Sequence, residues 1–295
     1  MLVALFRLLG RMPLSLLHRA GAALGWLVYW TSPRYAARLR ENLRASGVQG
    51  DEAQRDALQR AAIAETGKGM TELLAVWFGS DEKVTGLAAE IEGWHIAQAG
   101  HARGKGLIIV TPHLGCFEMV GLFVAQRLPI TSLYRPPRLA WLEPLMLAGR
   151  SRWKAVMAPA SLKGVRMLYK ALARGEAIGV LPDQAPRAGE GVWADFFGRP
   201  AYTMTLVRRL HEKSRAPVVM VVAERLPAGR GYRLRFRELP AQSLVDEATI
   251  NRAIEAEIRR CPEQYLWSYY RYKARAGADA PPAKAEGESR KAEVC

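Results

Sequence analysis

Cysteine and histidine are both scarce in this chain of 295 residues, which has three cysteines and five histidines. Cys116, Cys261 and Cys295 are odd in number and scattered, so they suggest neither a disulfide framework nor a metal-binding spacing. Zinc sites on helices usually combine histidines four residues apart with further ligands, and no such cluster is present in the sequence. These absences predict a protein of a reducing compartment with no metal site.

Acidic residues are also few. The chain has 28 Asp plus Glu against 43 Lys plus Arg, a formal charge of +15 that favours an anionic partner: nucleic acid, lipid headgroups or an acidic carrier protein. Residues 1–40 contain six arginines and no acidic residue, mixed into an apolar sequence. Because the charges are not collected in a solvated tail, the pattern predicts a membrane surface as the partner rather than nucleic acid.

Long apolar runs are missing from the N-terminal region. The uninterrupted run, 20–30, falls short of the roughly 20 apolar residues that a bilayer span needs, and a longer span would include His18 and Arg19. We therefore predict an in-plane or shallowly inserted anchor helix rather than a transmembrane span. No small-residue cleavage site follows the run, which argues against a cleaved signal peptide.

One histidine stands in a context that indicates catalysis. The apolar run 107–110 is followed by His113 and, five residues later, by Glu118. On one continuous helix these two side chains would lie about 140° apart, so His113 is expected in a turn before a helix that begins near Phe117. Glu118 would then reach back to a ring nitrogen of His113. Such a pair gives a general base in a fixed tautomer.

A nucleophile for covalent catalysis is lacking. There is no Gly-x-Ser-x-Gly elbow, and the Ser-x-x-Lys at 151–154 has none of the partner motifs of a penicilloyl-type site. Cys116 lies between the two dyad residues, but a cysteine on the first turn of a buried helix is more often an apolar packing residue. The remaining chemistry is direct transfer, in which the base activates an acceptor hydroxyl that attacks an acyl donor.

Apolar runs and amphipathic segments alternate along the middle of the chain, which predicts an α/β fold with a mostly parallel sheet flanked by helices. An alternating segment at 232–237 is expected to add an edge strand. The strand-like runs are 107–110, 130–134, 177–181 and 218–223, and the helical stretches are 51–78, 117–127, 161–174, 203–214 and 245–260.

A second candidate site residue is Asp183, which follows the run 177–181 as His113 follows 107–110. Ligands of open parallel sheets gather at the carboxyl ends of the strands, so the two residues can line one cleft. The alternative is that Asp183 only stabilises the loop after it. That loop, 185–192, contains glycines and is expected to be mobile.

Five blocks of sequence carry a family resemblance. They are His113 with Glu118, Arg38-Leu39-Arg40-Glu41-Asn42-Leu43, Leu181-Pro182-Asp183-Gln184, Phe196-Phe197-Gly198-Arg199-Pro200, and Gln264-Tyr265-Leu266-Trp267 running to Arg271-Tyr272-Lys273. In type and order they resemble the lipid A biosynthesis late acyltransferases, the lauroyl and myristoyl transferases that are relatives of the glycerol-phosphate acyltransferases. The chain has Phe117 where this family often has Trp, a conservative departure.

The resemblance implies a glycerol-phosphate-acyltransferase-like fold and an enzyme without a cofactor. Its reaction would transfer a fatty acyl group from acyl carrier protein, or acyl-CoA, to a hydroxyl of an acylated lipid A precursor at the cytoplasmic face of the inner membrane. His113 and Glu118 would be catalytic. Arg150 and Arg135 match family positions and would bind substrate phosphates or the carrier, and Asp183 would have a structural or acceptor-binding role.

The expected organisation is an anchor helix at 1–32, an acyltransferase domain at 33–273 and a disordered tail at 274–295, where large apolar residues are almost absent. Two other functions stay open. An acyltransferase for another bacterial lipid, such as a phospholipid, ornithine lipid or glycolipid, would share most of these features. A non-catalytic basic membrane-binding protein would explain the charge but not His113 with Glu118.

Overall fold

The computed structural model describes residues 2–48, 50–137, 139–244, 246–273, 276–278 and 280–282. Most of the tail predicted at 274–295 lies outside the described residues. The helices are α1 (Leu2–Leu9), α2 (Leu14–Thr31), α3 (Pro33–Ala45), α4 (Glu52–Phe78), α5 (Asp81–Gly86), α6 (Trp94–Ala102), α7 (Phe117–Arg127), α8 (Leu142–Arg150), α9 (Leu162–Ala173), α10 (Leu206–Ser214) and α11 (Glu247–Ile258). The strands are β1 (Ala88–Glu92), β2 (Leu107–Val110), β3 (Ile130–Tyr134), β4 (Ala155–Pro159), β5 (Ala177–Val180), β6 (Gly191–Phe196), β7 (Arg199–Met204), β8 (Val218–Arg225) and β9 (Tyr232–Leu239).

Seven strands form one sheet in the order β1-β9-β8-β2-β5-β3-β4. Every neighbouring pair is parallel except β8 with β9, so the predicted α/β fold with a mostly parallel sheet is confirmed. The central strands β2 and β5 are buried at every residue, which explains why they are continuously apolar in sequence. Helices cover both faces, and the core forms two apolar clusters.

Two details of the sheet differ from expectation. The predicted edge strand at 232–237 is β9, which lies between β1 and β8 rather than at an edge. The loop predicted at 185–192 runs into an antiparallel hairpin of β6 and β7, whose strands pair from Gly191 with Met204 to Phe196 with Arg199. The true edge strands β1 and β4 are partly exposed and are absent from the predicted strands: Glu90 and Glu92 interrupt β1, whereas β4 is a short apolar run that ends in proline.

The N-terminal helix α2 packs along α4 at very short range. A Cβ atom on Gly67 of α4 would lie 1.9 Å from the carbonyl oxygen of Gly21, and a Cβ on Gly25 would lie 2.3 Å from that of Ile63. Glycine is therefore required where the two helix backbones touch. The opposite side of α2 exposes Leu16, Leu27 and Trp30. Within the described residues, no helix has the length and apolar character needed to cross a membrane.

The close contact between α2 and α4 predicts that replacing glycine with alanine at the contact lowers stability, although alanine favours a helix. In an unhindered helix, Gly→Ala stabilises by about 0.5–1 kcal/mol. We expect Gly67→Ala to destabilise the protein by about 1–3 kcal/mol instead, because the added methyl forces the helices apart. Gly86→Ala in α5, where a Cβ meets no atom within 4 Å, is the matched control. Denaturant unfolding in detergent measures both; equal stability of the two variants would contradict the packing.

Candidate active site

The turn between β2 and α7 carries His113. As predicted, the residue lies outside the helix, which begins at Phe117. Gly115 has a φ of +60°, and a Cβ there would lie 2.1 Å from the carbonyl oxygen of Ala223, so both conformation and space require glycine. The Leu266 N–H donates to the carbonyl oxygen of His113 at 3.1 Å. The turn is therefore held between β8 and the C-terminal segment.

The imidazole of His113 is bound by Asp183. Its Nδ1 lies 2.8 Å from Asp183 Oδ1, and the backbone N–H of His113 donates to Oδ2 at 2.9 Å. Because a carboxylate accepts, Nδ1 carries the proton and Nε2 is left as the acceptor. The Gln184 Nε2 lies 3.1 Å from His113 Nε2. The base is thus fixed in one tautomer, with the nitrogen that would take a substrate proton directed towards Gln184.

Asp183, and not Glu118, makes the carboxylate contact that sequence spacing assigned to Glu118. Asp183 is only 2 % exposed, so it lies behind His113 and not on the cleft surface where a substrate contact would be made. Burial by itself would raise the pKa of Asp183, but the charge of His113 and the hydrogen bonds from its ring and backbone bring that pKa below its usual value. Asp183 therefore stays ionised beside the imidazole at neutral pH.

Glu118 forms a separate cluster with Arg150 and Trp77. The Arg150 Nε donates to Glu118 Oε2 at 2.8 Å, and its Nη2 pairs with Oε1, which makes a two-point contact. The indole Nε1 of Trp77 donates to the same carboxylate at 3.1 Å. Burial alone would lower the pKa of Arg150, whereas the Glu118 carboxylate raises it above its ordinary value. Glu118 thus fixes the position of the Arg150 guanidinium.

A cavity of about 280 Å³ opens beside these residues. His113, Gln184, Arg135 and Arg150 line its polar end, together with Glu118. The rest of the lining is mostly apolar and comes from one face of the sheet and from α7 and α8; it includes Ile109, Val120, Leu122, Ile130, Ala155 and Met157. The cavity therefore suits a ligand that has a polar end at His113 and a hydrocarbon portion inside.

Sequence reasoning assigned no role to two residues of the site. Gln184 belonged to a motif but had no assigned role, and Trp77 had no local signal because it lies on α4, distant in sequence. Arg271, in the last of the sequence blocks, is buried and donates to the carbonyl oxygen of Tyr202. Burial raises the pKa of Cys116 well above its usual value, which disfavours a thiolate.

A mostly parallel α/β sheet that presents a carboxylate-bound histidine at the mouth of an apolar cavity suits an enzyme that acts on molecules with a hydrocarbon chain. The chain belongs to the bacterial lipid A biosynthesis acyltransferase family, whose profile matches residues 1–274. This confirms the family resemblance and the acyltransferase class. Over the described residues, no group of three His, Cys, Asp or Glu side chains is arranged to hold a metal ion.

Individual relatives cover most of the chain. The chain is 28% identical to a lipid A biosynthesis lauroyltransferase of Escherichia coli over 275 aligned residues. The alignment covers 90% of this chain and 88% of that protein. A lipid A biosynthesis palmitoleoyltransferase of Escherichia coli is 27% identical over 271 residues, which are 90% of this chain and 87% of that protein. A lipid A biosynthesis acyltransferase of Haemophilus influenzae is 27% identical over 267 residues, which are 88% of this chain and 82% of that protein.

The buried pair of His113 and Asp183 predicts that Asp183→Asn lowers kcat for acyl transfer roughly a hundredfold or more, because the amide no longer stabilises an imidazolium. Asp195→Asn, which replaces an exposed carboxylate on β6, is the control and should leave kcat unchanged. Initial rates of the purified variants measure this effect. An Asp183→Asn enzyme as active as the control would exclude Asp183 as the orienting group.

The same pair also predicts a pH dependence of stability. Since the pKa of Asp183 is lowered by folding, its charge stabilises the fold above about pH 4, its unfolded range, and this stabilisation is lost as the pH falls through the folded pKa. The free-energy difference of unfolding between wild type and Asp183→Asn should accordingly be larger at pH 7 than below pH 4.

Proposed function

We propose that this protein transfers a fatty acyl group from the thioester of acyl carrier protein, or from acyl-CoA, to a hydroxyl of an acylated lipid A precursor. The observation that carries the proposal is the position of His113 at the polar mouth of a hydrocarbon-lined cavity, with Nδ1 held by a buried carboxylate. Family membership and the names of the relatives support lipid A biosynthesis as the setting.

In the proposed reaction, His113 Nε2 takes the proton from the 3-hydroxyl of an acyl chain already attached to the acceptor. The hydroxyl oxygen attacks the thioester carbonyl carbon, the carbon–sulfur bond breaks, and the departing sulfur receives the proton from the imidazolium. Asp183 keeps the ring in the reactive tautomer and stabilises the imidazolium while it is charged. Gln184 occupies the position near Nε2 that the acceptor hydroxyl would enter.

Of the other four predicted site residues, Glu118 and Asp183 have revised roles, and Arg150 and Arg135 keep theirs. We propose that Glu118 acts by holding Arg150, whose guanidinium lines the cavity mouth, and that Arg150 and the exposed Arg135 contact phosphate groups of the acceptor or the donor. Asp183 orients the base and does not bind substrate. The net charge of +15 favours an acidic carrier protein as donor, an attraction that salt would weaken.

The test is transfer of a labelled acyl group from acyl carrier protein to a tetra-acylated lipid A precursor in detergent. We expect His113→Ala to lower transfer about a thousandfold, and Glu118→Ala about a hundredfold because Arg150 is displaced. His95→Ala, an exposed histidine on α6, should remain active. Transfer that survives in His113→Ala would refute the mechanism.

A parallel assay with phospholipid and other glycolipid acceptors separates this proposal from its main rival. Wild-type transfer to one of those lipids, with none to the lipid A precursor, would assign a different acceptor. No transfer to any lipid, with active donors and retained vesicle binding, would support the non-catalytic alternative.

We further propose that the outer side of α2 lies in the surface of the inner membrane on the cytoplasmic side, where acyl carrier donors are found. Leu16, Leu27 and Trp30 are 45%, 54% and 71% exposed on this helix, and the first 40 residues are rich in arginine and lack acidic residues. An apolar face exposed beside cations suits a membrane that contains anionic lipids.

Replacing Leu16, Leu27 and Trp30 together with serine should lower the partition coefficient on anionic vesicles by about tenfold or more, because their apolar area no longer leaves water. Ile91→Ser, which changes an exposed apolar residue on β1, is the control. Flotation of purified protein with vesicles measures the effect. Unchanged binding of the triple variant would place the membrane contact elsewhere.

A further inference from the structure

The cavity beside His113 runs along the sheet from the carboxyl ends of the strands towards their amino ends. Tyr134, the last residue of β3, and Ile130, its first, both line it, and they are about 13 Å apart at the rise of a parallel strand. Ala155, the first residue of β4, lies beside Ile130 in register and also lines the cavity. The inner end is thus at the amino edge of the sheet, one strand length from the mouth.

Helix α7 forms the other wall and runs in the same direction as the cavity. It begins at Phe117, near His113, and the carbonyl oxygen of Ala125 near its end accepts a hydrogen bond from the Lys154 N–H, just before β4. Gly121 lies one turn beyond Phe117, about 6 Å deeper at 1.5 Å per residue. Because it also lies three residues after Glu118, it is on the helix face that lines the cavity.

Gly121 differs from the glycines at which two helices of this protein touch. Gly21, Gly25, Gly67 and Gly149 all lie where an added Cβ would collide with a neighbouring helix. At Gly121, a Cβ would meet no atom within 4 Å, and the backbone does not have a positive φ. Glycine is a poor helix former, so neither packing nor backbone conformation accounts for it in the middle of α7.

We propose that Gly121 keeps the cavity open at about half its depth and thereby sets the longest acyl chain that the enzyme accepts. This inference rests on the acyl transfer proposed above. With the carbonyl group at His113, the hydrocarbon chain passes beneath Gly121 towards Ile130 and Ala155. A side chain at position 121 would project into this path and shorten it, whereas a side chain at position 155 would block only its inner end.

The experiment measures kcat/KM for saturated donors from butanoyl to hexadecanoyl with wild type and Gly121→Leu. The ratio of kcat/KM for the longest donor that wild type uses to that for butanoyl, whose chain ends before it reaches Gly121, should fall at least about tenfold in Gly121→Leu, with butanoyl transfer largely retained. Ala155→Leu should lose only the longest donors. Gly86→Leu, at an exposed glycine outside the cavity with equal space for a Cβ, should keep the wild-type profile.

Folding of each variant is checked by its Tm, and Gly121→Ala provides a smaller change that fits the open space and favours the helix. An unchanged length profile in folded Gly121→Leu, or an equal loss with every donor, would overturn the inference. A second readout, which needs no acceptor, is the rise in Tm that free fatty acids of the same chain lengths cause.

The two proposals can fail separately. If wild type fails to acylate the lipid A precursor, the proposed function fails. If shorter fatty acids than in wild type then give the largest rise in the Tm of Gly121→Leu, the length limit is still supported.

Discussion

A buried ion pair between Glu72 of α4 and Arg225 of β8 holds together the parts on which the site depends. Arg225 Nη2 donates to Glu72 Oε1 at 2.6 Å and to the carbonyl oxygen of Gly115 at 2.9 Å, two residues after His113. Burial alone would raise the pKa of Glu72, but the charge of Arg225 lowers it to about 2. The pair therefore stays charged at neutral pH, and loss of either partner would leave an uncompensated buried charge, which typically costs about 3–5 kcal/mol.

The same carboxylate also reaches the N-terminal helices. Glu72 Oε2 accepts from the hydroxyl of Tyr232 at 3.0 Å and lies 3.2 Å from Nε2 of His18 on α2. The helix that we propose to contact the membrane and the turn that carries His113 are thus bound to the same buried ion pair, the helix through Glu72 and the turn through Arg225. With α2 on the membrane as proposed, this connection would hold His113 at a fixed position relative to the lipid surface.

Local patterns of apolar and polar residues in the sequence predicted most of the fold. The apolar runs became β2, β5 and β8 because strands buried on both faces are apolar throughout. The predicted strand at 130–134 is β3, which is buried only at its first two residues, and α7 begins at Phe117 as predicted. Strands were missed or misplaced where their burial is partial or depends on partners distant in sequence. Edge strand β1 is interrupted by glutamates, edge strand β4 has only a short apolar run that ends in proline, and β9 alternates like an edge strand although β1 covers its outer side.

The sequence by itself determined that His113 and Asp183 each follow a buried strand and that Glu118 lies on the first turn of the next helix. Only the tertiary structure decided which carboxylate serves the histidine. Val110 of β2 pairs in register with Val180 of β5, so the residues three positions beyond each strand end, His113 and Asp183, meet at 2.8 Å. Glu118 is near in sequence, but α8 brings Arg150 to it. Strand order, which is set by packing of the whole sheet, has no local signature in a single sequence.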